Sequence, residues 1–254
     1  MSEACVPVFP ALRHSRAPRR RLPTRIRALI APLNRTVLLC KVKSLPDRVE
    51  PRHRQPPVFL MQLFLDIDGV LLNFERSFVD WLNVHLGLNL PEDYQAQTWD
   101  FEEVLARDVL EKAWLDYLES EFPARMQPLI SPEMLNDLLR EHTVHLLTNF
   151  PEPHMKKRLE NLAELGIGYQ SLHYCGLHPY KTHKPRTKSD IIADLHNREQ
   201  GALFVDDHPD NCLDVHANCP EVEVWVMSRR FNRDFDHPEI KRAQDWQCLI
   251  NRLG

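Results

Sequence analysis

From residue 61 onward, short apolar runs alternate with stretches of helical period. Leu63, Phe64, Leu65 and Ile67 form a near-continuous apolar run, as expected of a strand buried on both faces of a parallel sheet. Val144 to Thr148 repeats the pattern, as do a stretch near 169–174, Ala202 to Val205 and Val222 to Val226. Between these runs the spacing predicts helices. Phe74, Phe78, Trp81 and Leu82 share one face, and Gly87 stands where a C-cap belongs. Leu105, Val109, Ala113 and Tyr117 form one stripe of the next helix, with Leu110, Trp114 and Leu118 beside it. Ser131-Pro132-Glu133 opens another. Over 152–165, Met155, Leu159 and Leu162 are expected inward, with Gly166 as the stop. Ile191, Ile192 and Leu195 mark a later helix, and Trp246, Leu249 and Ile250 a terminal one.

Strands alternating with helices predict an α/β fold, a three-layer Rossmann-like parallel sheet covered on both faces. The first two strands are separated by about 70 residues, against the roughly dozen that a simple crossover needs. Part of that excess, about 75–140, is expected to form a small helical cap over one edge of the sheet. No internal repeat is present.

The first 60 residues read differently. They hold 9 of the 20 prolines and none of the 7 glycines. They carry 13 Lys and Arg against 3 Asp and Glu, with no sustained hydrophobic period. Residues 1–60 are therefore expected to be a basic extension, disordered or outside the fold, with residues 61–254 as the folded unit. A targeting peptide or a basic tail for anionic surfaces are the other readings of this segment.

Charge changes the picture for partners. Residues 61–254 carry 19 Lys and Arg against 33 Asp and Glu. Such an acidic surface suits a small ligand held through a metal and argues against polymeric nucleic acid. No apolar run approaches the ~18 residues of a membrane span, so no membrane partner is expected. The 6 cysteines form no CxxC pair, which favours reduced thiols and a cytoplasmic setting. His142, His145, His173, His178 and His183 do not fall at metal-ligand spacing, so structural roles are expected of them. Cys175 and Cys212 are expected to be inert. The oligomeric state is not legible.

The chemistry concentrates at strand ends. Asp66 and Asp68 stand one residue apart where the first strand ends, and Gly69 lets the chain turn. Alternation should aim both carboxylates to one side of the strand tip. The second strand ends in Thr148 and Asn149, the fourth in Asp206 and Asp207, and Lys188 precedes a helix. Acids, a hydroxyl and an amine at one sheet edge make a phosphoryl-transfer site. One carboxylate attacks phosphorus, a second moves protons, magnesium screens the acids, and Thr148 and Lys188 hold the phosphoryl oxygens.

In this order the motifs resemble those of the haloacid dehalogenase (HAD) superfamily of phosphohydrolases. LDIDGV matches its first motif, HLLTN the second, a lysine before a helix the third and FVDDHPDN the fourth. The resemblance covers roughly 61–254. It implies Asp66 as nucleophile, Asp68 as acid/base with its backbone carbonyl on the metal, and Thr148 as the phosphoryl-binding hydroxyl. It implies substrate contacts from Asn149 and Gly69, Asp207 as the second metal carboxylate and Asp206 in support of it. Where the family often has a further acid stands Asn211, with Asp210 beside it. The motif lysine is Lys188 or Lys184, the latter in a Lys-Pro form that the family also uses. DIDGVLLNF, the acidic pair and the Phe231-Asn232-Arg233…Trp246 segment resemble the 5'(3')-deoxyribonucleotidase-like branch, which has a small helical cap. The activity so implied is magnesium-dependent hydrolysis of a small phosphomonoester, with (deoxy)nucleoside monophosphates as that branch's substrate class. A phosphomutase and a catalytically retired, binding or regulatory scaffold are the alternatives. Phe74, Trp99 and Phe101 are candidates to stack on a base, or simply to pack.

Overall fold

The computed structural model describes residues 60–175 and 186–253. The readings of 1–59 and of Lys184, His178 and His183 lie outside these residues.

Strands β1 (Gln62–Asp66), β2 (Thr143–Thr148), β3 (Ser171–Tyr174), β4 (Ala202–Asp206), β5 (Val222–Met227) and β6 (Lys241–Ala243) form one sheet in the order β3-β2-β1-β4-β5-β6. Every pairing is parallel. The chain winds outward from β1 in one direction and then, from β4, in the other. The switch point therefore lies between β1 and β4, where such sheets open a crevice at the carboxyl ends of their strands. The short polar β6 has no apolar run to announce it; it is a strand only because β5 offers it an edge.

Alternate residues supply the two faces. Leu63, Leu65, Val144, Leu146, Leu203 and Val205 pack in one core with Leu135 and Leu138 of α3 (Pro132–Glu141), Leu162 of α4 (Met155–Glu164) and Leu249 of α7 (Trp246–Leu253). Phe64, Leu147, Phe204 and Val224 pack on the other face with Ile191 and Ile192 of α5 (Lys188–Leu195) and Val215 of α6 (Pro209–Asn218). This is the three-layer α/β sandwich that the alternation predicts.

A third cluster stands apart from the sheet. Phe78, Trp81 and Leu82 of α1 (Phe74–Leu86) pack against Leu110, Ala113, Tyr117 and Leu118 of α2 (Arg107–Glu119). Asn73 caps α1 and Gly87 ends it at φ 66°. The stem is pinned by paired backbone bonds, Asn73 N to Gln127 O at 2.8 Å and Leu129 N to Leu71 O at 2.7 Å. Within the stretch 75–140, α1 and α2 build this aromatic unit, whereas α3 packs on the sheet.

In α4 the inward face differs from the hydrophobic reading. Leu159 is 44% exposed, while Arg158, Asn161 and Leu162 are buried. The reason is a polar partner for Arg158, described next.

Candidate active site

β1 delivers Asp66 at its last position, and β4 delivers Asp206 at its last position with Asp207 one step beyond. Because β4 pairs directly with β1, the two tips lie side by side. One oxygen each from Asp66, Asp206 and Asp207 falls within a mutual 4.8 Å, and all three residues are buried. Lys188, at the first turn of α5, reaches in from below. Its Nζ donates to Asp66 Oδ1 and, at 2.6 Å, to Asp206 Oδ2. A capping box of Thr187 and Asp190 fixes the start of α5 and hence the lysine stem.

The two neighbouring acids are used differently. The Asp206 carboxylate also accepts from His208 N at 2.8 Å and from the Asn211 amide at 3.1 and 3.2 Å. It is saturated, and it orients Lys188. No described donor hydrogen-bonds to the Asp207 carboxylate; only its backbone carbonyl is held, by Asn232 Nδ2 at 2.7 Å. Asn211, at the position where a further acid was expected, thus serves Asp206.

Gly69 sits at φ +79°, and a Cβ there would collide with the Asp207 carboxylate. Its carbonyl accepts from Arg229 Nη2. The turn is further tied by Trp246, whose indole N–H donates to Val70 O at 2.8 Å. Thr148 is fully buried one step past Leu147, which pairs with Asp66, so the hydroxyl arrives beside the aspartate tip. Its Oγ1 accepts from Phe150 N at 3.0 Å and keeps its own proton to donate. Asn149 follows, half-buried.

Asp68 does not join the acid cluster. Its Oδ1 accepts from Arg158 Nη2 at 2.6 Å, and its side chain keeps a solvent edge, 23% exposed. The strand ends at Asp66 and the chain turns after Ile67, and Asp68 is tied to Arg158 rather than to Lys188. Of the aromatic candidates, Phe74 and Phe101 pack in the cluster of α1 and α2. Trp99 is 49% exposed and meets His208 edge-on at 5.0 Å between ring centroids.

Three buried carboxylates facing one ammonium define the electrostatics. Burial pushes Asp66 up to about 8, against the pull of Lys188 and with the added push of Asp206 and Asp68. Burial, with the charges of Asp206 and Asp66, holds Asp207 well above the usual carboxylate range. Burial also raises Asp68, and Arg158 opposes it. Lys188 is itself penalised by burial, yet Asp206 and Asp66 carry it above the ordinary lysine value. One like-charge pair at ~4 Å costs about 4 kcal/mol at an effective dielectric of ~20. A hard divalent cation suits this cluster: the donors are all carboxylate oxygens, they converge, they outnumber the one ammonium, and the Asp207 carboxylate occupies the place that a Cβ at residue 69 would take.

No protein-family profile matches the sequence, and no curated protein does. The likeness is structural. A HAD-superfamily hydrolase of subfamily IA from Geobacter sulfurreducens is 19% identical, with a TM-score of 0.50, over 77% of this chain and 97% of that one. YfnB of Bacillus subtilis, a HAD-hydrolase by its description and solved bound to magnesium, is 14% identical, with a TM-score of 0.50, over 76% and 98%. Protein tyrosine kinase A of Mycobacterium tuberculosis is 16% identical, with a TM-score of 0.52, over 76% of this chain. The fold is HAD-like. Among the described residues no helix is long and apolar enough to cross a membrane.

Arg158 and Arg229 went unnoticed in the sequence. The signal for Arg158 was a helix face on which a basic residue shares a stripe with Met155 and Leu162, a pattern more often solvated. Arg229 had only its place in the Phe231-Asn232-Arg233 neighbourhood.

Proposed function

We propose that the chain is a magnesium-dependent phosphomonoester hydrolase that works through an aspartyl-phosphate on Asp66. The observation that carries this reading is the division of the carboxylates. Asp66, Asp206 and Asp207 converge around Lys188, and Asp68 stands outside that cluster with a solvent edge.

Lys188 holds Asp66 Oδ1, which leaves Oδ2 to attack phosphorus. The P–O bond to the leaving group breaks as Asp68 gives that oxygen a proton. Asp68, now a carboxylate, takes a proton from a water that attacks the phosphorus of the aspartyl-phosphate. Inorganic phosphate departs and Asp66 is regenerated. The Thr148 hydroxyl and the backbone amide of Asn149 bind phosphoryl oxygens, with Gly69 taken as a further substrate contact. Asp66, Asp207 and the Asp68 backbone carbonyl would hold the metal, with Asp206 supporting them through Lys188. Magnesium supplies charge neutralisation for the acids and for the phosphoryl group. A neighbour of the same fold, YfnB, is described with that ion.

The finer part of the proposal is the substrate, a small phosphorylated metabolite of the (deoxy)nucleoside monophosphate class. Trp99, exposed beside His208, offers the aromatic surface that a base would need. The catalytic unit is taken as 61–254. The test is magnesium-dependent phosphate release across a panel of phosphomonoesters that includes 5'- and 3'-nucleotides. EDTA should abolish release and magnesium restore it. Absence of turnover on every ester would favour a retired scaffold, and transfer to a second hydroxyl of the substrate without net release would favour a phosphomutase.

A further inference from the structure

Arg158 is 0% exposed, yet it lies on α4, outside the acid cluster. Its guanidinium packs over the Phe150 ring, 4.4 Å from the centroid. One arm donates to Asp68 Oδ1 at 2.6 Å, and the other donates to the carbonyl of Pro123 at 3.2 Å. Pro123 belongs to the 3-10 turn Phe122–Ala124, where the chain returns from α2 toward the sheet. The residues flanking Arg158 on the helix hold the same return segment. Lys157 Nζ donates to Leu118 O at 2.5 Å and Ser120 O at 2.8 Å, and Asn161 Nδ2 donates to Met126 O at 3.1 Å. Among these, Arg158 alone spans both the cap return and a carboxylate that the phosphatase reading uses.

A side chain needed only to seat the cap has no reason to hold Asp68. One needed only to neutralise a buried acid has no reason to reach Pro123. Nor does the site satisfy its arginine fully: Nε is buried without a partner. Such an arrangement is a poor device for stability, since a well-packed apolar side chain of the same volume is often as stable as a buried ion pair. It is a good device for aim. The planar fork fixes one carboxylate oxygen and leaves the other in a defined direction.

We propose that Arg158 is a positioning residue: it orients Asp68 for proton transfer and makes that orientation depend on the seating of the cap at Pro123. The inference rests on the phosphatase reading above. With Arg158 in place, Asp68 Oδ2 is presented to the leaving oxygen. When the cap return lifts, the fork loses one anchor and the carboxylate loses its aim. Bond making at phosphorus by Asp66 does not pass through Arg158.

The test compares Arg158→Met and Arg158→Lys with the parent on esters of rising leaving-group pKa, from p-nitrophenyl phosphate to an alkyl phosphate. Arg158→Met should lower kcat/KM for the alkyl ester by ~10²-fold, within the range of a lost general acid, and change kcat/KM for p-nitrophenyl phosphate far less. Phosphoenzyme trapped by acid quench and seen by mass spectrometry should accumulate, because the water step also needs Asp68. The double variant Asp68→Asn/Arg158→Met should be no slower than Asp68→Asn alone. Arg158→Lys keeps the charge without the fork, so it should fall between, and it carries the test should Arg158→Met not fold. An equal loss of kcat/KM on every ester in a folded variant, or losses that multiply in the double variant, overturns the assignment of Arg158 alone. A parent that shows no magnesium-dependent release, or an Asp66→Asn variant as fast as the parent, overturns the phosphatase reading and this inference with it.

Discussion

Two polar clusters, one buried and one partly buried, sit on the same face of the same sheet and obey opposite rules. The first is the acid cluster at the strand tips, Asp66, Asp206, Asp207 and Lys188. The second lies inside the sheet, where Gln62, His145, Ser171 and His173 line up across β1, β2 and β3. His145 Nδ1 meets Ser171 Oγ at 2.7 Å, and Ser171 Oγ meets His173 Nε2 at 2.6 Å. Gln62 spends its amide on Leu195 O at 3.1 Å and its oxygen on Asn197 N at 2.6 Å. Burial, helped by His173, lowers His145 to about 4, so the network stays neutral near pH 7. Neutral groups that satisfy one another stabilise a fold. Carboxylates that outnumber their cation destabilise it until something positive binds. The lesson is that burial of polar groups does not mark function; an unbalanced charge does.

Breaking the first cluster should have the largest effect. Asp66→Asn should lower turnover by at least ~10⁴-fold, as loss of a nucleophile does elsewhere, while the protein stays folded. Above pH 8, where Asp66 is ionised, the metal-free melting temperature should rise, because one of the like charges is gone; a fall would mean that Asp66 is structural. Phosphate release and thermal melting with EDTA measure the two.

Gly69→Ala comes next. The methyl must share space with the Asp207 carboxylate at φ +79°, so activity should drop ~10²-fold with weakened magnesium binding. Magnesium titration followed by calorimetry reads the binding loss apart from turnover.

His145→Ala should do the reverse of Asp66→Asn. It takes one of the two side-chain partners of Ser171 and leaves a void against Phe64, whose ring stacks on His145 at 5.1 Å. We expect a loss of about 2–3 kcal/mol in denaturant unfolding with kcat/KM unchanged.

The smallest and sharpest contrast is with pH, in metal-free protein. Asp66 keeps its proton in the folded state up to about 8, against an ordinary value of 3.8. Between those values the folded state binds more protons than the unfolded, so this contribution to stability falls as pH rises. His145 titrates at about 4 when folded, against an ordinary 6.5. Its contribution is intact above 6.5 and is lost as pH falls toward 4. Melting curves from pH 4 to 8 should show the high-pH loss reversed by magnesium and the low-pH loss indifferent to it. Equal rescue at both ends would erase the distinction between the clusters.

Much of this site was legible before any coordinate. An apolar run that ends in Asp-x-Asp-Gly, another in Thr-Asn and a third in Asp-Asp are local patterns, and strand alternation with burial is a local rule. β6 and Arg158 were not legible for one shared reason. Lys241, Arg242 and Ala243 become a strand, and Arg158 an interior residue, only through partners far along the chain, the edge of β5 and the carboxylate of Asp68. The exposure of Leu159 is the counterpart of that burial.

By itself, the sequence of this protein determined the elements, the two faces of the sheet and the residue types at the strand tips, because side-chain period and solvation act over a few neighbours. The tertiary structure decided which tips adjoin, that Asp206 serves Lys188 while Asp207 stays open, and that Asp68 turns to Arg158. Those outcomes depend on strand order and on ion pairs between residues many positions apart, and no local pattern encodes them.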